Sequence, residues 1–159
     1  MTTKLIIREL KKEDKSKLKA LIKDFYQYSL DTFLTGQVKE IDSASDMKLY
    51  LEEHFKDYLK NVTFVAELEG NIIGFIEGEI RERKGKVYNL SGLIQNFFVK
   101  EEVQSQGIGR KLFDKITEGF KEKGCNSMRI EAYVTNHKAI SIYKNWGFMP
   151  KNVAFVRKI

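Results

Sequence analysis

Val99-Lys-Glu-Glu-Val-Gln-Ser-Gln-Gly-Ile-Gly-Arg-Lys-Leu112 is the stretch whose reading decides the fold. Leu93 to Val99 reads as a strand. Ile108 to about Lys123 carries Ile108, Leu112, Phe113, Ile116 and Phe120 at helical spacing and is closed by Gly124. A strand therefore runs through a short loop into a helix whose first turn holds Gly107 and Gly109. The first amides of a helix have no internal partner and sit at the positive end of its dipole. Glycines let an anion approach them without a Cβ in the way, and Arg110 and Lys111 add full positive charge. A pyrophosphate is a natural guest. A Gly-x-Gly at a helix start also serves plain turns and close packing, so taken alone the loop leaves both readings open. It lacks the Gly-Lys-Ser/Thr ending of a Walker A loop and the third glycine of the dinucleotide fingerprint.

Outward from this loop, the periodicity changes twice. Lys4 to Glu9 reads as a strand. Asp14 to about Leu30 reads as a helix with Leu18, Leu21, Ile22, Phe25 and Ser29 along one face. Thr35 to Asp42 reads as a loop. Ser43 is expected to cap a second helix striped by Met47, Tyr50, Leu51, Phe55 and Tyr58. Val62 to Leu68 and Ile72 to about Arg81 form a hairpin across Glu69-Gly70-Asn71, and a second turn at Lys84-Gly85-Lys86 leads to the strand before the glycine loop. Ser127 to Val134 reads as a strand, Asn136 to Trp146 as a helix ended by Gly147, and Phe148 to Lys158 as a last strand or hairpin. The order β-α-α-β-β-β-α-β-α-β predicts an α/β (α+β) domain: a mixed, mostly antiparallel twisted sheet with helices on both faces. Residues 1–159 are read as one domain.

Composition narrows the function classes. The chain is 42% hydrophobic and 31% charged, ordinary for a globular domain. No apolar run reaches the length of a membrane span, and the N-terminus lacks signal-peptide character. The single cysteine, Cys125, reads as a small packed residue and permits no internal disulfide. These features predict a cytoplasmic location and no membrane partner. His54 and His137 fit no metal-ligand spacing, so no metal is expected.

The formal charge of +6 is unevenly distributed. From Asp24 to Asp57, eight acids stand against three lysines, which leaves that segment at −5 and the remainder at +11. The basic residues are spread over turns and helix faces with no nucleic-acid motif, so no nucleic acid is expected as partner.

The loop Gln104-Ser-Gln-Gly107-Ile-Gly109 resembles the Gln/Arg-x-x-Gly-x-Gly/Ala pyrophosphate loop of the GNAT superfamily of acetyl-CoA-dependent N-acetyltransferases. Gln95-Asn-Phe-Phe-Val99 has the place of that family's fourth strand. Asn136-His-Lys-Ala139-Ile-Ser-Ile-Tyr143-Lys-Asn-Trp-Gly147-Phe148 is similar to its second signature, and Ile7-Arg8 followed by Asp14 to its opening. These matches come in the family's order and span nearly the whole chain. Among the members, the chain looks closest to the diamine and spermidine acetyltransferases.

The resemblance implies a set of roles. Backbone groups of Phe97, Phe98 and Val99, exposed by a bulge in the fourth strand, would hold the pantetheine arm of acetyl-CoA, and an amide at or beside Val99 would face the developing oxyanion. The amides of Gln104, Ser105, Gln106, Gly107, Ile108, Gly109 and Arg110 would hold the pyrophosphate. Asn136 would contact the cofactor arm, Ala139 would leave it room, and Tyr143 would act as general acid toward the departing thiolate. Tyr143 also lies on a helical stripe with Ala139, Ile140 and Trp146, which suits a core aromatic as well.

The acceptor would be a primary amine, small molecule or peptide, attacked directly in a ternary complex. Gln95 and Asn96 stand where many relatives carry acids, and amides take no proton. Glu77 and Glu79, on one face of the preceding strand, are the substitute candidates, working through water, with plain solvent-facing carboxylates as the alternative. The acidic segment would lie on the acceptor side and favour a cationic acceptor such as a polyamine, a lysine side chain or a basic peptide. Tyr26 and Tyr28 lie in the same region. A non-catalytic acyl-CoA-binding sensor of the same fold is the rival reading, favoured by Gln95 and Asn96 and opposed by Tyr143. Homodimers occur in the family, and nothing diagnostic of one stands in this sequence.

Overall fold

A computed structural model describes residues 3–159. Five strands form one sheet in the order β1-β2-β3-β4-β5: β1 (Leu5–Glu9), β2 (Val62–Leu68), β3 (Asn71–Glu82), β4 (Leu90–Val99) and β5 (Ser127–Ile130). The first four pair antiparallel and β5 joins β4 in parallel, which is the mixed sheet the sequence predicts. The helices are α1 (Lys15–Thr32), α2 (Gly36–Asp42), α3 (Met47–Lys60), α4 (Ile108–Glu122) and α5 (His137–Asn145).

Alternation along the strands builds two cores. Phe64, Ala66, Ile76 and Ile94 point to one face, where α4 covers them with Leu112, Ile116 and Phe120. Val65, Phe75 and Phe98 point to the other, under Leu18, Leu21 and Ile22 of α1 and Phe55 and Tyr58 of α3. On the α4 side the Phe120 ring lies flat on the sheet at Gly78 and Gly92. A Cβ at Gly92 would stand 2.4 Å from the ring, so only glycine permits the contact.

Arg8 on β1 fixes the start of α1. Its guanidinium makes paired hydrogen bonds of 2.8 Å to both Asp14 carboxylate oxygens and a third to Glu67 on β2. The Arg8 bonds first, and then one from the Lys11 amide, hold the Asp14 carboxyl below its usual value against the cost of burial.

Four features differ from the sequence expectation. Gly36–Asp42, read as a loop, is a short helix. The cap of α3 is Asp46, which accepts from the Leu49 amide, rather than Ser43. The strand expected over 127–134 stops at Ile130, and the last strand expected over 148–158 is not formed. A strand requires a partner, and past Ile130 there is no ladder to extend. Pro150 also has no amide hydrogen to give. The segment instead runs exposed toward α2, where the Lys158 amide donates to the Gln37 side chain and its ammonium meets Glu40.

Gly92→Ala is expected to displace Phe120 and lower stability by about 1–3 kcal/mol, seen as a drop in the urea midpoint. Asp14→Asn should cost about 2 kcal/mol at neutral pH. Because the folded state depresses the Asp14 value, the wild-type contribution is full above about pH 4 and is lost as pH falls through the folded value. Acid titration of the thermal midpoint should therefore show wild type and variant converging.

Candidate active site

The site begins with a break in the sheet. At Glu77–Gly78 the β3–β4 register shifts, Glu77 facing Asn96 and Gly78 facing Ile94, so Gln95 is the extra residue of a bulge. The β4–β5 ladder runs from Ser91–Ser127 to Ile94–Ile130 and stops there. Beyond the bulge, Asn96 to Val99 keep their partners on β3, and their other backbone edge faces a gap instead of a strand. Phe97, Phe98 and Val99 are thus brought to that gap. Phe97 and Val99 turn to the α4 face, and Phe98 to the α1 face against Phe25 at 5.1 Å and Tyr28 at 5.8 Å.

The glycine loop lies at the end of this gap. Ser105 and Gly107 both adopt left-handed backbone, with φ of 65° and 78°. A non-glycine residue at such a φ is strained and marks a shaped loop, and alternating left-handed residues turn successive amides inward. Ile108 is buried and pins the helix start in the core. α3 and α5 have their first turns capped by Asp46 and Asn136; α4, like α1 and α2, has no side-chain cap, and its N-cap is the left-handed Gly107. The α4 amides at its first turn therefore remain free for an external acceptor. A Cβ at Gly109 would meet nothing closer than the Phe97 ring edge at 3.4 Å. That is ordinary van der Waals contact, whereas at Gly107 nothing of the protein would lie within 4 Å of a Cβ.

Other predicted residues have partners of their own. Gln104 donates to the Val99 carbonyl at 2.8 Å and accepts from Lys138 at 3.1 Å, tying β4 to α5. Gln106 is exposed on the loop. Arg110 turns along α4 to Asp114 and lies over Phe113 and Trp146, each 5.6 Å away, so its charge is partly spent outside the loop. Asn136 caps α5 by accepting from the Ala139 amide at 3.1 Å, which leaves its own amide hydrogens to offer. Tyr143 packs on α5 between Trp146 and Phe148. Its hydroxyl makes no hydrogen bond among the described residues, and burial pushes it up to about 12.

Glu77 departs from the solvent-facing alternative. It is 0% exposed and accepts from Asn61 at 2.6 Å and from Asn96 at 2.8 Å, one bond to each oxygen. Burial raises its pKa, and the two amide bonds oppose the rise. The Tyr58 hydroxyl is buried nearby without a partner. Glu79, two residues on, is partly exposed and ion-paired to Arg81. The sequence reading missed Asn61 and treated Asn96 only as a lost acid. The available signal was register, since Asn96 lies directly across from Glu77.

A hollow of about 300 Å³ lies on the α1–α3 side, lined by Tyr26, Leu30 and Tyr50 among others. Among the described residues no group of His, Cys, Asp or Glu side chains could hold a metal ion, and no helix is long and apolar enough to cross a membrane.

Comparison with known proteins agrees with this geometry. The chain is 28% identical over 150 residues to the thialysine N-epsilon-acetyltransferase of Sus scrofa, covering 90% of this chain and 83% of that one. It is 27% identical over 105 residues to an N-alpha-acetyltransferase of Sulfolobus acidocaldarius, covering 62% of each. The fold superimposes on an aminoglycoside N-acetyltransferase, AAC(6')-Iy in complex with CoA, with a TM-score of 0.77 at 20% identity over 99% of this chain and 97% of that one. The profile of the acetyltransferase (GNAT) family matches residues 22–148, and this chain belongs to that family.

Proposed function

We propose that the protein transfers an acetyl group from acetyl-CoA to a primary amine, both bound at once, and that residues 1–159 form one catalytic domain. The observation that carries this reading is the uncapped start of α4, with Ser105 and Gly107 left-handed, at the end of the gap beside β4. An uncapped helix start with free amides suits a pyrophosphate, and an open strand edge suits an extended amide-bearing arm, which binds as a further strand would. Acetyl-CoA, when bound, supplies an activated acetyl carbonyl as a thioester, and CoA leaves as the thiol.

The residues divide the work by face. The free edge of Phe97, Phe98 and Val99 orients the arm, and an amide at or next to Val99 donates to the carbonyl oxygen as charge builds on it. Asn136 offers its side-chain amide hydrogens to the same arm, and Ala139 is small enough to leave it room. The amine nitrogen forms the new C–N bond as the C–S bond breaks. Tyr143 stands as a donor to the sulfur. With its phenol pushed up to about 12, above an ordinary thiol near 8.5, donating a hydrogen bond is a lower-energy role than giving up the proton outright.

The amine must lose a proton, because at a pKa of about 10.4 roughly one molecule in a thousand is neutral near pH 7.4. Glu77 receives it through water. Its raised pKa and its lack of a cationic partner suit that role better than the ion pair of Glu79. The acids of Asp24 to Asp57, on the α1–α3 side, favour a cationic acceptor.

The test is release of free thiol from acetyl-CoA with a panel of spermidine, thialysine, free lysine, basic peptides, aminoglycosides and aryl amines. Turnover above the amine-free rate is expected. Tight acetyl-CoA binding with no turnover would favour a non-catalytic acyl-CoA sensor. Tyr143→Phe should lower kcat by about 10²-fold and leave the Kd for acetyl-CoA unchanged by calorimetry. Glu77→Gln should remove the acidic limb of the kcat/KM profile. In the wild type, activity falls as pH drops through the Glu77 value, which lies above the ordinary carboxylate range.

A further inference from the structure

The hollow on the α1–α3 side is built from residues far apart in sequence: Tyr26 and Leu30 of α1, Leu34 after it, Asp42 at the end of α2, Tyr50 of α3 and Tyr133 after β5. We infer that this hollow is a cation cage that holds a second, non-reacting ammonium group of a linear aliphatic diamine or polyamine acceptor. The inference rests on the acetyltransferase reading for the identity of the acceptor, and on the geometry of the hollow for the cation.

Three phenol rings line one space. Tyr26 and Tyr50 stand 4.9 Å apart between centroids, and Tyr133, the third lining ring, is stacked on Phe33 at 6.3 Å. A bond from Thr135 to the Phe33 carbonyl at 2.8 Å anchors the segment that carries Tyr133. Ring faces attract cations through their quadrupole, and phenol oxygens accept N–H bonds; that of Tyr26 already accepts from the Ala44 amide, which leaves those of Tyr50 and Tyr133 for the guest. Burial pushes Tyr50 up to about 12, so it stays a neutral ring and acceptor.

Asp42 supplies the charge. Nearby, Lys39 pairs with Asp31 and Lys158 with Glu40. Asp42 has no such partner among the described residues. The floor, Leu30 and Leu34, is buried, and Tyr133 at the rim is 40% exposed. Volume sets the shape of the guest. About 300 Å³ is the low end for a ligand site and suits an unbranched chain better than a multi-ring amino sugar.

The chemistry also says which nitrogen is held. A carboxylate and aromatic faces stabilise the protonated amine, yet the attacking nitrogen must be neutral. The caged nitrogen is therefore a different one from the nucleophile. The hollow fits this arrangement, because Tyr26 and Leu30 adjoin Phe25 and Tyr28 on α1, and those two pack on Phe98 beside the gap in the sheet.

The experiment compares 1,4-diaminobutane with n-pentylamine in the thiol-release assay, for wild type, Asp42→Asn and Tyr133→Leu. Both substitutions are at exposed positions, and thermal midpoints check that the variants fold. The expected result is a KM for the diamine at least about tenfold below that for the monoamine, with that preference reduced about tenfold in each variant. Equal KM values in wild type, or a preference untouched in both folded variants, would overturn the cage while leaving acetyl transfer standing. Should neither amine be turned over, calorimetry with tetramethylammonium decides separately. Binding by wild type that is lost in both variants supports the cage even though the transfer reading has failed, and absence of binding overturns the cage.

Discussion

The site depends on the parting of β4 from β5. Two neighbouring strands normally satisfy each other's amides and carbonyls along their whole length. Here one extra residue at Gln95, and a β5 that ends at Ile130, leave the last residues of β4 without a strand on that side, where the Gln104 side chain takes the Val99 carbonyl. An unpaired strand edge invites another strand or its mimic. The same parting lets α4 start directly beyond β4, so an open edge and an open helix terminus meet at one place. Neither would bind much alone; together they match a ligand with an amide-bearing arm and a charged end.

Holding that gap open requires rigidity around it. On one face, Phe120 seated on Gly78 and Gly92 locks α4 to the paired part of the sheet. Phe113 stacks on Trp146 at 4.4 Å and ties α5 to α4. Gln104 bridges the end of β4 to Lys138 on α5. On the other face, Phe25 and Tyr28 clamp Phe98. The gap is therefore flanked by packed aromatic side chains, which suits a site that must position two reactants.

The two faces carry different electrostatics. The α4 side offers amides, a helix dipole and surface lysines to an anion. The α1–α3 side holds the acidic stretch Asp24 to Asp57, a buried and amide-bound Glu77, and three tyrosines about Asp42. A polyanionic donor and a cationic acceptor would approach from opposite sides and meet across the strand edge. Glu77 is the costly member of this arrangement, because burial disfavours its charge. Asn61 and Asn96 reduce that cost without a counter-ion, which leaves the carboxylate able to take a proton.

The sequence by itself determined the paired cores, the glycine loop and the order of the main elements. Those depend on periods of 2 and 3.6 residues and on local backbone freedom, which neighbouring residues specify. Tertiary structure alone decided what depends on partners. The alternation over residues 148–158 met no strand to pair with, so no strand formed. Glu77 gained its two amides because β3, β4 and the end of α3 converge on it; Asn96 is reached only once the β3–β4 register is known, and Asn61 gives no hint in its own surroundings. Tyr26, Asp42, Tyr50 and Tyr133 became one cavity only when α1, α2, α3 and the segment after β5 closed around it. Contacts between residues so far apart in the chain are fixed by how the layers pack, and that information is not carried by any local stretch.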